Sequence, residues 1–166
     1  MAIEHDYFGL LESGPDGAIF WSENVDLGDM RVTVDLTAPD EEDITQAALD
    51  SAASLIVGLE ILDRRARDFM LREVDNRASD VTEYVLDMTE RYGDDIDDYL
   101  IDVSGDAPVD VIRSMELMSM TILADEHGTE EGFAVLEYTF DADENDDVLF
   151  VNISAQGVVL SVTNEK

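Results

Sequence analysis

Asp141, Asp143, Asn145 and Asp147 fall on alternate positions of the stretch FDADENDDVLFVN, the spacing at which a calcium loop presents its oxygen ligands. Such a loop also needs glycine at its sixth position, for a sharp turn, and a bidentate glutamate at its twelfth. Counted from Asp141, those positions hold Asp146 and Asn152. The flanking residues alternate between apolar and polar as strands do, whereas this type of calcium site lies between helices. The stretch is therefore expected to be a hairpin loop, in which Asp and Asn bond their own backbone. A loose, weak divalent-cation site is the alternative.

Arg64, Arg65, Arg67, Arg72 and Arg77 make a second cluster able to do chemistry, since guanidinium groups hold phosphates and carboxylates. Asp63, Asp68 and Glu73 stand four residues before Arg67, Arg72 and Arg77, which is the spacing of ion pairs along a helix. A salt-bridged helix surface is expected. The only histidines, His5 and His127, lack the H-x-x-x-H spacing of a helical zinc pair. No G-x-S-x-G supports a Ser-His-Asp triad through His127.

Other chemistry is excluded by what is missing. The only lysine is Lys166, so a phosphate-loop or Schiff-base lysine is ruled out. No G-x-G-x-x-G follows a strand, and the absence of cysteine removes thiolate chemistry and disulfides. A catalytic carboxylate pair cannot be picked out from so many acidic residues. No enzymatic activity and no cofactor are expected.

Charge dominates the 166-residue chain: nine basic against 41 acidic residues give a formal net charge of −32. Such a field repels nucleic acid and anionic lipid and attracts a basic protein or divalent cations. Acidity as a solubility device, or as adaptation to a salty cytoplasm, is the plainer explanation. No apolar run is long enough for a membrane helix, and MAIEHDYFGLLESG lacks the basic start of a secretory signal, so a cytoplasmic protein is expected. The groups expected to meet a basic partner are Asp40, Glu41, Glu42 and Asp43 at a helix start, and Asp94, Asp95, Asp97 and Asp98 in the connector DDIDD.

The elements that must position these groups show in the periodicity. YFGLLE, AIFWSENV and MRVTVDL are three strands, the last placing Met30, Val32, Val34 and Leu36 on one side. Trp21 shares a face with Ile19 and Val25 and is expected to lie buried against the helices. Asp40 caps a helix whose apolar positions run Ile44, Ala48, Ala52, Leu55, Leu59, Leu62, Ala66 and Phe69. Val74, Ala78, Val81, Val85, Met88 and Tyr92 mark a second helix stopped by Gly93, with Asp75 and Asn76 at the break. DAPVDVIRSM fits a short helix capped by Asp106. Four strands follow, with apolar faces Met118, Met120 and Ile122; Ala134, Leu136, Tyr138 and Phe140; Leu149, Val151 and Ile153; and Val158, Leu160 and Val162. AQG at 155–157 is a tight turn.

Read together, DYFGLL, AIFW, RRARDFM, EYTFD and DVLFVNIS resemble an uncharacterised bacterial family of domains of unknown function. That family is related to proteins proposed to be immunity factors against secreted toxins. The resemblance implies a structural pattern over most of the chain and carries no catalytic residues. The combined expectation is one α+β domain: an antiparallel sheet of about seven strands in the order β-β-β-α-α-β-β-β-β, with helices on one face. Its expected role is an acidic, non-catalytic protein-binding module. A small carboxylate- or metal-dependent hydrolase and a homodimer joined through a sheet edge are the rivals.

Overall fold

The computed structural model describes residues 2–127 and 132–165. Among the described residues the chain begins with strands β1 (Ala2–His5), β2 (Gly9–Glu12), β3 (Ile19–Leu27) and β4 (Met30–Ala38). Four helices follow: α1 (Gln46–Val57), α2 (Leu59–Glu73), α3 (Asp80–Tyr92) and α4 (Ala107–Ser114). Strands β5 (Glu116–Leu123), β6 (Ala134–Thr139), β7 (Val148–Ile153) and β8 (Val159–Glu165) complete the order. The class is α+β, as the separation of strands from helices suggests.

The sheets depart from the expected one in two ways. YFGLLE begins in a turn and only its GLLE part is a strand, β2; Gly9 takes a φ of 70°, and β2 pairs with β1, which precedes the stretch, in a separate two-stranded hairpin. The remaining strands make one sheet in the order β3-β4-β5-β6-β7-β8. Within it β4 pairs with β5 in parallel, and every other neighbouring pair is antiparallel. The parallel pair follows from the long helical crossover, which returns the chain to the end of the sheet where β4 began. Periodicity marks a strand but not its direction.

Val32, Val34, Leu36 and Ala38 are buried, while Thr33, Asp35 and Thr37 on the opposite face are half-buried. Alternate residues of β5, β6 and β7 join them in one apolar cluster with the buried residues of the helices. Two bulges change the expected faces. A register shift between Leu117 and Ser119 buries both Leu117 and Met120 and turns Met118 outward. A second shift, in the β7–β8 pairing, leaves Val158 and Leu160 exposed and turns Val159 and Val162 towards the core.

Trp21 also differs from expectation. It is half-buried, and its ring meets Phe8 edge-on at 4.8 Å and Tyr7 at 6.3 Å. β3 is an edge strand, and the aromatic turn between β1 and β2 covers this ring instead of the long helices.

Helix boundaries follow local chemistry. Asp40 caps only a 3-10 turn, Glu41–Asp43, and Thr45 then caps α1 by accepting the Ala48 N–H. Gly58 divides the expected first helix into α1 and α2. The buried stripe of α2 is Leu59, Leu62, Ala66 and Met70, so Phe69 is left half-buried. Ser79 caps α3, Gly93 (φ 56°) stops it, and Asp106 caps α4 with Pro108 in its first turn. Of the expected ion pairs on α2, only Arg67–Asp63 forms, at 3.0 Å, and Glu60–Arg64 makes a looser pair at 3.7 Å. Arg67 also donates to the carbonyls of Ile112 (2.9 Å) and Met115 (2.8 Å), which locks the end of α4 to the start of β5.

Candidate functional site

The loop between β6 and β7 has strands on both sides, as its alternation suggested. Asn145 is buried: its Nδ2 donates to the Phe140 carbonyl (2.9 Å), and its Oδ1 accepts from Arg91 (2.8 Å) and from the Asp147 N–H (3.0 Å). Arg91 also bonds Asp147 at 2.6 Å. Tyr92 donates to Asp141 at 2.9 Å, and the Tyr84 hydroxyl accepts the Phe140 N–H and donates to the Asp147 carbonyl. Burial pushes the Tyr84 and Tyr92 phenols above their ordinary range, and Asp141 adds to the shift at Tyr92. Three of the four groups spaced like calcium ligands therefore already accept bonds from this chain's own donors. Asp143 alone of the four is exposed.

The connector after α3 does the opposite. Gly93–Tyr99 is a 3-10 helix in which Ile96 is buried while Asp94, Asp95, Asp97 and Asp98 are exposed. With three residues per turn, one apolar anchor suffices to turn the four carboxylates into solvent. The Tyr99 ring lies 4.7 Å from that of Tyr92. Further on, the Ile101 N–H donates to Ser114 Oγ (2.9 Å), and Ser104 gives Asp110 two bonds, from its N–H (2.8 Å) and its Oγ (2.7 Å). These Ser104 bonds hold the Asp110 carboxyl below its usual range, against the opposing effect of burial. The strip is thus pinned at both ends. It nevertheless presents apolar side chains to water: Ile101 is 80% exposed, Val103 53% and Tyr99 43%. Asp102 stands exposed among them. Charge counting overlooks these three residues. Their signal is the apolar set interrupting the acidic run in DDYLIDV, of which only Leu100 packs on the core.

The two expected contact groups are not brought together. Asp40 to Asp43 follow the last residue of β4, where the Glu41 N–H bonds Gly17, while the connector is tied to Ser114 just before β5. β4 lies between them, and its nine residues set a separation of roughly 25 Å at about 3.3 Å per residue. The Asp40 group is also less free. Asp40 accepts the Glu42 N–H, and the Oε2 atom of Glu41 is buried without a partner among the described residues. The connector offers the larger exposed acidic surface.

The histidines meet neighbouring residues of α1. His5 is buried and bonds Asp50 at 2.8 Å through Nε2 while its Nδ1 accepts the Tyr7 N–H, a pairing that ties the first hairpin to α1. His127 Nε2 lies 3.1 Å from Ser51 Oγ. Ser51 lines a shallow cavity of about 400 Å³ with Ser54, Arg65 and Gly157. Among the hydrogen bonds of the described residues, none joins a carboxylate to the His127 ring. No group of three or more His, Asp or Glu side chains able to hold a metal ion is found among the described residues. No described helix is long and apolar enough to cross a membrane.

A scan of the chain against protein-family models gives no match, and neither do searches of curated proteins and of solved structures.

Proposed function

We propose that the chain is a non-catalytic binding module that docks a basic protein on the connector after α3, in the manner of an immunity protein facing a toxin. The observation that carries this reading is a pinned strip in which Tyr99, Ile101 and Val103 are exposed among Asp94, Asp95, Asp97, Asp98 and Asp102. Apolar anchors ringed by charge are the arrangement of an interaction surface: the anchors supply affinity and the carboxylates supply steering and selectivity. A backbone already fixed at Ile101 and Ser104 lowers the ordering cost of association. The charge of −32 disfavours nucleic acid and anionic membranes as partners. Asp40 to Asp43 form at most a second, separate contact.

The test is capture from the source cell at low and moderate salt, followed by calorimetric titration of each salt-released protein. The quadruple change of Asp94, Asp95, Asp97 and Asp98 to Asn should slow association and flatten its salt dependence. Ile101→Ala should speed dissociation. Captured proteins that bind both variants as tightly as the parent chain would overturn the reading.

One observation favours a second reading, a small hydrolase: the Ser51–His127 contact beside a cavity. A fluorophosphonate probe should then label Ser51, and His127→Ala should abolish the labelling. An unlabelled parent protein removes this reading.

A further inference from the structure

A groove runs between α2 and β8. Three adjoining hollows form it. The first two share Arg65, Gln156 and Gly157, and the second and third share Phe69. One wall is the α2 face carrying Arg65, Asp68, Phe69 and Arg72, and the other is β8 with the turn before it.

β8 is the last strand of its sheet, so one side of its backbone has no strand partner. The Asn164 N–H donates to Asp80 Oδ2 at 2.9 Å, which identifies Asn164 as a residue whose backbone points away from β7. Antiparallel alternation turns the N–H and C=O of Val162 the same way. The start of α3 therefore closes the far end of this edge, and the part beside Phe69 stays open.

The charge of the middle hollow is opposite to that of the molecule, whereas Asp50 lines the first hollow and Glu73 and Asp80 line the third. Arg65 donates to the Gly157 carbonyl at 3.1 Å and makes no ion pair among the described residues. Arg72 is exposed and lacks the pair with Asp68 that its spacing offers. Among the described residues, Asp68 is the only carboxylate lining the middle hollow, against two guanidinium groups. Phe69 stands between these arginines, half-buried.

We propose that this groove takes an extended peptide segment of a partner as an added strand on β8. An acidic side chain of the peptide lies between Arg65 and Arg72, and apolar side chains lie against Phe69. An edge strand facing a helix gives such a segment main-chain bonds on one side and side-chain pockets on the other. Because strand side chains alternate, the residues meeting α2 come from every second position. The pattern recognised is therefore apolar–x–acidic–x–apolar. This site is separate from the acidic connector: the groove ends where α3 begins, and the connector starts where α3 ends.

The probe is a terminally blocked, fluorescein-labelled peptide, Ser-Val-Thr-Glu-Thr-Val-Ser, with versions carrying Gln or Lys in place of Glu. Titration into the labelled full chain should shift backbone amide resonances along β8 and the facing side of α2, and should slow exchange of the Val162 amide. The Gln peptide should bind about tenfold more weakly, the loss expected for one charge-assisted contact. Arg72→Glu should weaken binding of the Glu peptide and strengthen binding of the Lys peptide. Arg72 makes no ion pair among the described residues, so this variant should keep its fold, and Phe69→Ala provides an independent loss of affinity. The proposal is overturned if millimolar peptide leaves β8 unshifted or if the Glu and Gln peptides bind equally. It is also overturned if sedimentation shows a dimer of this chain burying β8.

Discussion

The loop between β6 and β7 and the connector after α3 are neighbours, joined through Tyr92, whose hydroxyl bonds Asp141 and whose ring meets Tyr99. They are written in nearly the same letters, DADENDD and GDDIDDY. In the loop Arg91, Tyr92 and Tyr84 reach in from α3, and the polar groups turn towards them. In the connector no such side-chain donor among the described residues reaches the four aspartates, and Ile96 takes the inward position. Whether an acidic segment is structure or surface is decided by the donors on the neighbouring element, not by its own composition.

The largest expected effect that sharpens this contrast is at Asn145. Asn145→Ala leaves the Phe140 carbonyl and the Asp147 N–H without their partner in a buried place, and should cost on the order of 3 kcal/mol in urea unfolding. Arg91→Ala removes bonds to Asn145 and Asp147. The Arg91 side chain is 48% exposed and water replaces part of the loss, so about 1 kcal/mol is expected by the same measurement.

Asp110 tests the connector's anchor through pH. Its folded pKa is depressed, so its contribution is present above the unfolded value near 3.8 and is lost as the pH falls through the lower folded value. Asp110→Asn should therefore be less stable than the parent at neutral pH, with the gap closing on acidification through the carboxylate range. A constant gap in thermal melts would contradict this.

The smallest effect belongs to the exposed aspartates. Changing Asp94, Asp95, Asp97 and Asp98 to Asn relieves repulsion and should raise stability by no more than about 0.5 kcal/mol at low salt. The gain should vanish near 1 M salt, where screening shortens to about 3 Å. The parent protein should melt at higher temperature as salt is added, because its charge of −32 opposes compaction. A clear loss of stability in the quadruple variant would show that these carboxylates are structural after all, and the contrast would fail.

Local rules were legible in the sequence: the strand from Met30, the cap at Asp106, the stop at Gly93 and the hairpin loop after β6. What could not be read depends on partners distant in sequence. The inward turn of Asn145 requires Arg91, and Trp21 is covered by Phe8 from the turn of a hairpin whose first strand, β1, the apolar pattern did not mark. The bulge in β5 inverts the side of Met118, which strict alternation places beside Met120. Of the candidate site, the acidic connector was visible, but Tyr99, Ile101 and Val103 were not, because their exposure follows from the hydrogen bonds that fix the backbone around them.

The parallel pairing of β4 with β5 gives the chain a particular history during synthesis. β3 and β4 can close as a hairpin as soon as both are made, but β4 meets its second neighbour only after residues 39 to 115 have been translated. Until then Val32, Val34 and Leu36 have no core to enter, and one edge of β4 is open to any passing strand. Closing so long a crossover also slows the folding step that completes the sheet. A nascent chain stalled within the helical segment should therefore recruit chaperones, whereas one released after β8 should not.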